Sequence, residues 1–132
     1  MSGLKKRIRW LPRPSDEDYK AALDYLVLAA SDGEAIVRQL KRGAVREYKA
    51  KDIIRAASIS LVADDVDDVR ELAGVRAKIK ARQRLSPILM IQGKIDDNVP
   101  LTIVDGYHRV VALYLIHEDT LVRGVLIRAR AV

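Results

Sequence analysis

The sequence predicts a mixed α/β (α+β) domain, and three observations predict it. Apolar residues recur at helical spacing early in the chain, short apolar runs bounded by Pro and Gly recur later, and a strand, glycine, helix signature joins them near Gly106. The chain has 132 residues, 49% hydrophobic and 32% charged, enough for one hydrophobic core and too balanced for a disordered tail.

The elements follow in order. Residues 1–14 read as a flexible basic arm, because Pro12 and Pro14 restrict the chain and no periodicity appears. Ser15 is an N-cap with Asp18 three residues on, and Tyr19, Ala22, Leu23, Leu26, Val27 and Ala30 continue a helix that Gly33 ends. A second helix over 34–41 carries Ile36, Val37 and Leu40 and stops at Gly43. Residues 15–46 thus form an N-terminal helical extension, and 47–132 the remaining domain. A strand falls near Tyr48, and the type of the apolar stretch at Ile53, Ile54, Ala56 and Ala57 stays open. Residues 64–84 read as a helix, acidic at its start and basic at its end, in line with the macrodipole. The alternation of Arg76, Lys78, Lys80, Arg82 and Arg84 with Ala77, Ile79 and Ala81 argues for strand, but Ala, Lys, Arg and Gln favour helix. Strands are expected within 85–93, entered by Pro87, over 101–104 and over 121–127, with a turn over 94–98.

Composition excludes several functions. The longest stretch free of Asp, Glu, Lys and Arg is the nine residues from Leu85 to Gly93, too short for a membrane span. Trp10-Leu11-Pro12-Arg13-Pro14 stands where a signal peptide needs an apolar segment, so the chain reads as cytoplasmic, with no membrane partner. With no cysteine there is no disulfide, thiolate nucleophile or Cys-type zinc site, and two histidines exclude a His-rich metal site. The net charge of +6 is uneven. Residues 1–13 hold five bases and no acid, leaving 19 bases against 18 acids elsewhere.

The chemistry concentrates in Thr102-Ile-Val-Asp-Gly-Tyr-His-Arg-Val-Val-Ala-Leu-Tyr. Asp105-Gly106 between apolar runs fits a β-hairpin turn, but the ten-residue run over 107–116, with Val111, Tyr114 and Leu115 at helical spacing, favours a helix. His108 and Arg109 then occupy its first turn, where unpaired N–H groups and the positive dipole end call for an anion. Gly106 lets the backbone approach a phosphate, Arg109 binds it bidentately, and His108 donates a hydrogen bond or relays a proton. The alternative is that Arg109 pairs with a carboxylate such as Asp105 and His108 is a surface group.

These residues resemble a known family. Leu85-Ser86-Pro87-Ile88-Leu89-Met90, followed by Leu101-Thr-Ile-Val-Asp-Gly-Tyr-His-Arg-Val-Val-Ala112, is similar to the ParB/sulfiredoxin-like (ParB N-terminal-like nuclease and nucleotide-binding) domain, as a stand-alone member covering about residues 47–127. The resemblance implies a small mixed sheet flanked by helices. It also implies a nucleoside di- or triphosphate, with Mg²⁺, on the 106–109 turn. Gly106, Tyr107, His108 and Arg109 would bind phosphates, and Ser86 and Pro87 would shape the pocket wall. His108 and Asp105 would be the catalytic candidates for NTP hydrolysis or phosphoryl transfer. Tyr107 stands where sulfiredoxins have their reactive cysteine, which excludes that repair chemistry, and the chain has no room for the helix-turn-helix domain of ParB proteins.

Two other readings remain open. A nucleic-acid-binding or nuclease module would use Lys5, Lys6, Arg7 and Arg9 with Arg76, Lys80 and Arg84. A non-enzymatic interaction domain would have kept the fold without the ligand. Asp64, Asp65, Asp67 and Asp68 suit helix capping better than a cation, as His117, Glu118 and Asp119 suit a helix end, and no metal ligand set is assigned. The oligomeric state is open, a homodimer included.

Overall fold

The computed structural model describes residues 8–61 and 66–128, the side chains of 66–68 excepted. Its elements are β1 (Arg9–Trp10), α1 (Asp16–Ala29), α2 (Gly33–Arg42), β2 (Val45–Lys49), α3 (Ala50–Ala56), α4 (Val66–Lys80), β3 (Arg84–Leu85), β4 (Ile88–Gln92), β5 (Thr102–Asp105), α5 (Tyr107–Ile116) and β6 (Leu121–Arg128). A 3₁₀ turn at Ile95–Asp97 links β4 to β5.

The main sheet runs β2-β6-β4-β5. β2 is antiparallel to β6, β4 is parallel to β6, and β5 is antiparallel to β4, so the sheet is mixed. Alternation along β4 and β6 sends side chains to two cores. Ile88, Met90 and Val122 face a core closed by α3, α4 and α5, with Ile53, Ile79 and Val110 among its members. Leu89, Val125 and Ile127 face a second core closed by Tyr19, Ala22 and Leu26 of α1 and Val37 and Leu40 of α2. The boundary drawn at residue 46 therefore runs through a shared core, and residues 15–46 are one layer of a three-layer structure.

The helix ends explain where sequence patterning blurred. α4 stops at Lys80, short of the expected residue 84, in a Schellman motif: Arg82 N–H donates to Ile79 O at 3.0 Å and Gln83 N–H to Lys78 O at 2.9 Å. Arg82 takes φ 59° there, and the chain leaves into β3. The stretch whose type was open is α3, which ends the same way at Ser58 (φ 54°).

Residues 8–14 of the arm expected to be flexible are tied to the rest of the fold. β1 pairs in parallel with β3, Leu11 N–H donates to Leu85 O at 2.8 Å, and Arg13 donates to the carbonyls of Lys41 and Gly43, both at 2.6 Å. Trp10 packs against the first core, which supplies the apolar contact that holds it. Among the described residues no helix is long and apolar enough to cross a membrane.

Candidate functional site

β5 ends at Asp105, Gly106 turns the chain, and α5 starts at Tyr107, so the strand, glycine, helix reading holds and the hairpin does not. Gly106 has φ 113°, and a Cβ there would meet Ile88 Cγ2 at 2.4 Å, so both conformation and space require glycine. No side chain caps the first turn of α5, and that turn holds no acid. Its leading N–H groups and dipole face a cleft of about 470 Å³.

Three elements converge behind that turn. Arg109 of α5 donates from Nη2 to Asp105 Oδ2 at 2.7 Å and Asp18 Oδ1 at 3.2 Å, and from Nη1 to Ser86 Oγ at 2.6 Å and the Ser86 carbonyl. The guanidinium is only 13% exposed. Its fork is filled by internal acceptors, which is the carboxylate pairing set beside the phosphate reading and leaves Arg109 a scaffold of the site.

Asp18 is the residue that sequence reasoning used only as part of a cap. Its Oδ2 accepts from Ser15 N–H at 2.8 Å and Ser15 Oγ at 2.9 Å in a capping box, while Oδ1 accepts Arg109. One carboxylate thus both caps α1 and ties it to α5. The signal for the second role lay in the apolar side of α1, which had to face a sheet and brought position 18 with it.

Asp18 and Asp105 also hydrogen-bond to each other. Burial and the neighbouring Asp18 push the Asp105 carboxyl up to about 6 against the pull of Arg109. Burial acts to raise Asp18 as well, but hydrogen bonds from Asp105 and Ser86 and the Arg109 charge together hold it below the usual carboxylate range. Of the two carboxyls, Asp105 is therefore the one that takes up a proton first as pH falls.

The cleft is lined by the acids Glu17, Asp18 and Asp105, by Glu71 and Lys78 of α4, and by Arg84, with Tyr107 and His108 at the helix start. Tyr107 and His108 stack edge to face, ring centroids 5.0 Å apart. Ser86 lines the cleft as expected, but Pro87 is fully buried behind the wall. The basic run divides: Arg76 and Lys80 border a small apolar hollow with Ile79, Leu115 and Ile116, because residues two apart on a helix point apart. Lys78, passed over in favour of its neighbours, reaches the cleft, as does Arg84. Lys5, Lys6, Arg7, Asp64 and Asp65 lie outside the described residues, as do the side chains of Asp67 and Asp68. His117, Glu118 and Asp119 do not line the cleft; Asp119 pairs with Lys51 at 2.9 Å and His117 Nδ1 accepts Asp119 N–H, which makes that cluster a turn. Among the described residues no group of three metal-ligating side chains occurs.

No protein-family model, curated protein or solved structure matches the chain.

Proposed function

We propose that the chain is a ParB/sulfiredoxin-like domain that binds the phosphates of a nucleoside di- or triphosphate at the start of α5. The observation that carries this reading is the uncapped first turn of α5, behind a glycine at φ 113°, opening into a cleft that Lys78 and Arg84 line together with Glu71. The volume suits one nucleotide. Backbone N–H groups of the turn, His108, Lys78 and Arg84 bind phosphate, and Tyr107 offers an aromatic face to the base. Mg²⁺ would enter with the nucleotide, held by its phosphates and one or two carboxylates lining the cleft, the usual mode for that ion. Arg109 acts from behind by fixing Asp105 and Ser86. Asp105 and His108 are the groups assigned to proton transfer should the bound phosphate be hydrolysed or transferred.

Thermal unfolding with and without nucleotides and Mg²⁺ tests this. A nucleotide at one hundred times its dissociation constant stabilises the fold by about 2.7 kcal/mol. The exposed Lys78→Ala variant should fold normally and lose about tenfold in affinity. Absence of a shift with every nucleotide, Mg²⁺ present, would overturn the reading. Phosphate release by the wild type, lost in His108→Ala, separates turnover from binding alone.

A further inference from the structure

Besides the cleft, α4 and α5 leave a smaller hollow of about 160 Å³ lined by Arg76, Ile79, Lys80, Leu115 and Ile116. Ile79 is buried at its floor, and Leu115 leaves 49% of its surface in solvent. A cavity of about 150 Å³ accepts a molecule the size of benzene, so the hollow has room for one apolar side chain. Arg76 and Lys80, one helical turn apart, are its exposed polar members. Among the described residues neither forms an ion pair, and no acid lies three or four positions from either one. The acids that follow Ile116 turn to Lys51 instead, Asp119 pairing with it at 2.9 Å and Glu118 adding to its field. The hollow is thus an apolar socket with a positive rim, suited to an aliphatic side chain that arrives with a carboxylate.

The same chain carries such a side chain. Ile95, at the start of the turn between β4 and β5, is 91% exposed, and Asp96 and Asp97 follow it directly. Asp97 pairs with Lys94 at 3.1 Å, whereas Asp96 forms no ion pair among the described residues. The turn is closed by its own backbone: Lys94 and Val99 exchange hydrogen bonds at 2.8 and 3.0 Å, Asp97 N–H donates to Lys94 O, and Asn98 N–H donates to Ile95 O. A preformed turn loses little conformational freedom when its tip is bound. Leu28 is nearly as exposed, at 89%, but it stands on the flank of α1 between Val27 and Ala29, where the helix itself blocks entry into a small hollow.

Turn and hollow lie at opposite ends of the sheet. α4 leads through β3 into the start of β4, and α5 leads into the start of β6, which is parallel to β4, whereas the turn follows the end of β4. One copy therefore does not seat its turn in its own hollow. We propose that the Ile95–Asp97 turn of one copy docks in the α4–α5 hollow of the next, with Ile95 against Ile79, Leu115 and Ile116 and Asp96 between Arg76 and Lys80. Such a contact is heterologous: each docking leaves one turn and one hollow free, so copies add head to tail. Lys5, Lys6 and Arg7 carry the sign of the rim, which disfavours that segment of the chain as the occupant. The contact uses neither the cleft nor its ligand.

Sedimentation velocity of the full chain over a rising series of concentrations tests the proposal. The mean mass should climb past that of a dimer, and fall back between about 0.1 and 1 M salt as the Debye length shrinks from about 10 to 3 Å. Ile95→Ser, at an exposed position, should fold as the wild type does and lose about tenfold or more in association. Arg76→Glu with Lys80→Glu should lose as much, and adding Asp96→Lys to that pair should restore it. Each variant damages one end only. An equal mixture of Ile95→Ser and the Arg76→Glu, Lys80→Glu variant should therefore form one-to-one dimers and nothing larger, since one intact turn meets one intact hollow. Leu28→Ser should leave association unchanged. A chain that stays monomeric at every concentration, growth that stops at a dimer, association that Ile95→Ser leaves intact or Leu28→Ser abolishes, or a mixture of the two end variants that stays monomeric would each overturn the proposal. Association lost on removing residues 1–7 would make that segment the occupant and overturn it as well.

Discussion

Arg109 shows how one side chain decides what the site is. A guanidinium on the first turn of a helix is disfavoured by the dipole unless anions surround it, and here Asp18 and Asp105 do so from inside the protein. Removing the cation leaves two buried carboxyls facing each other, so Arg109→Met should destabilise by about 3–5 kcal/mol, read from urea unfolding. Asp105 makes a second, pH-dependent prediction. Its carboxyl is raised to about 6 in the fold, so the folded state binds its proton more tightly than the unfolded chain does. Stability from this group is present below the unfolded value near 3.9 and is lost as pH rises through about 6. Asp18, shifted downward, works in the opposite sense: its contribution is present above the ordinary carboxylate value and is lost as pH falls through the lowered one. The two windows do not coincide. Asp105→Asn removes the first, so relative to wild type it should gain about 2 kcal/mol between pH 4.5 and pH 8. Urea midpoints at the two pH values measure it, and a variant that tracks the wild type would show that Asp105 is not the proton carrier.

At the scale of elements, the two αL residues that end α3 and α4 are neither glycine nor asparagine. Ser58→Gly keeps the Schellman hydrogen bonds of α3, since Ile59 N–H still donates to Ile54 O, and relieves the left-handed strain. It should raise stability by roughly 0.5–1 kcal/mol, as a higher denaturant midpoint at unchanged m-value. These same ends mark how far the sequence could be read. The strand, glycine, helix unit around Gly106 was legible because turn chemistry and a ten-residue apolar run agree there. The end of α4 was not. Its stop comes from a strained arginine and from β3 pairing with a two-residue strand some seventy positions away, and neither leaves a mark in local periodicity. The ordering of residues 8–14 was hidden for the same reason, since Trp10 is held by tertiary packing rather than by its neighbours. At the site, Gly106, His108 and Ser86 were legible from the motif, whereas Asp18 and Lys78 depended on which way α1 and α4 face.

At the scale of the whole molecule, the question is whether the first helices are an appendage or a layer. The second core joins Tyr19, Ala22, Leu26, Val37 and Leu40 of α1 and α2 to Leu89, Val104, Val125 and Ile127 of the sheet. Cutting the chain at residue 47 would expose those four sheet side chains, each worth about 1.5–3 kcal/mol when buried. The loss is about 6–12 kcal/mol, comparable with the whole stability of a domain of this size, about 5–15 kcal/mol. It would also take Asp18 from Arg109 and Ser86, loosening the turn that faces the cleft. The fragment 47–132 should therefore unfold without a cooperative transition and bind a hydrophobic dye, while the full chain melts in one step. A fragment that melts cooperatively near the full chain's temperature would mean that α1 and α2 merely rest on the sheet. The four buried side chains argue the other way: the sheet has two apolar faces, and the helices after Gly43 cover only one of them.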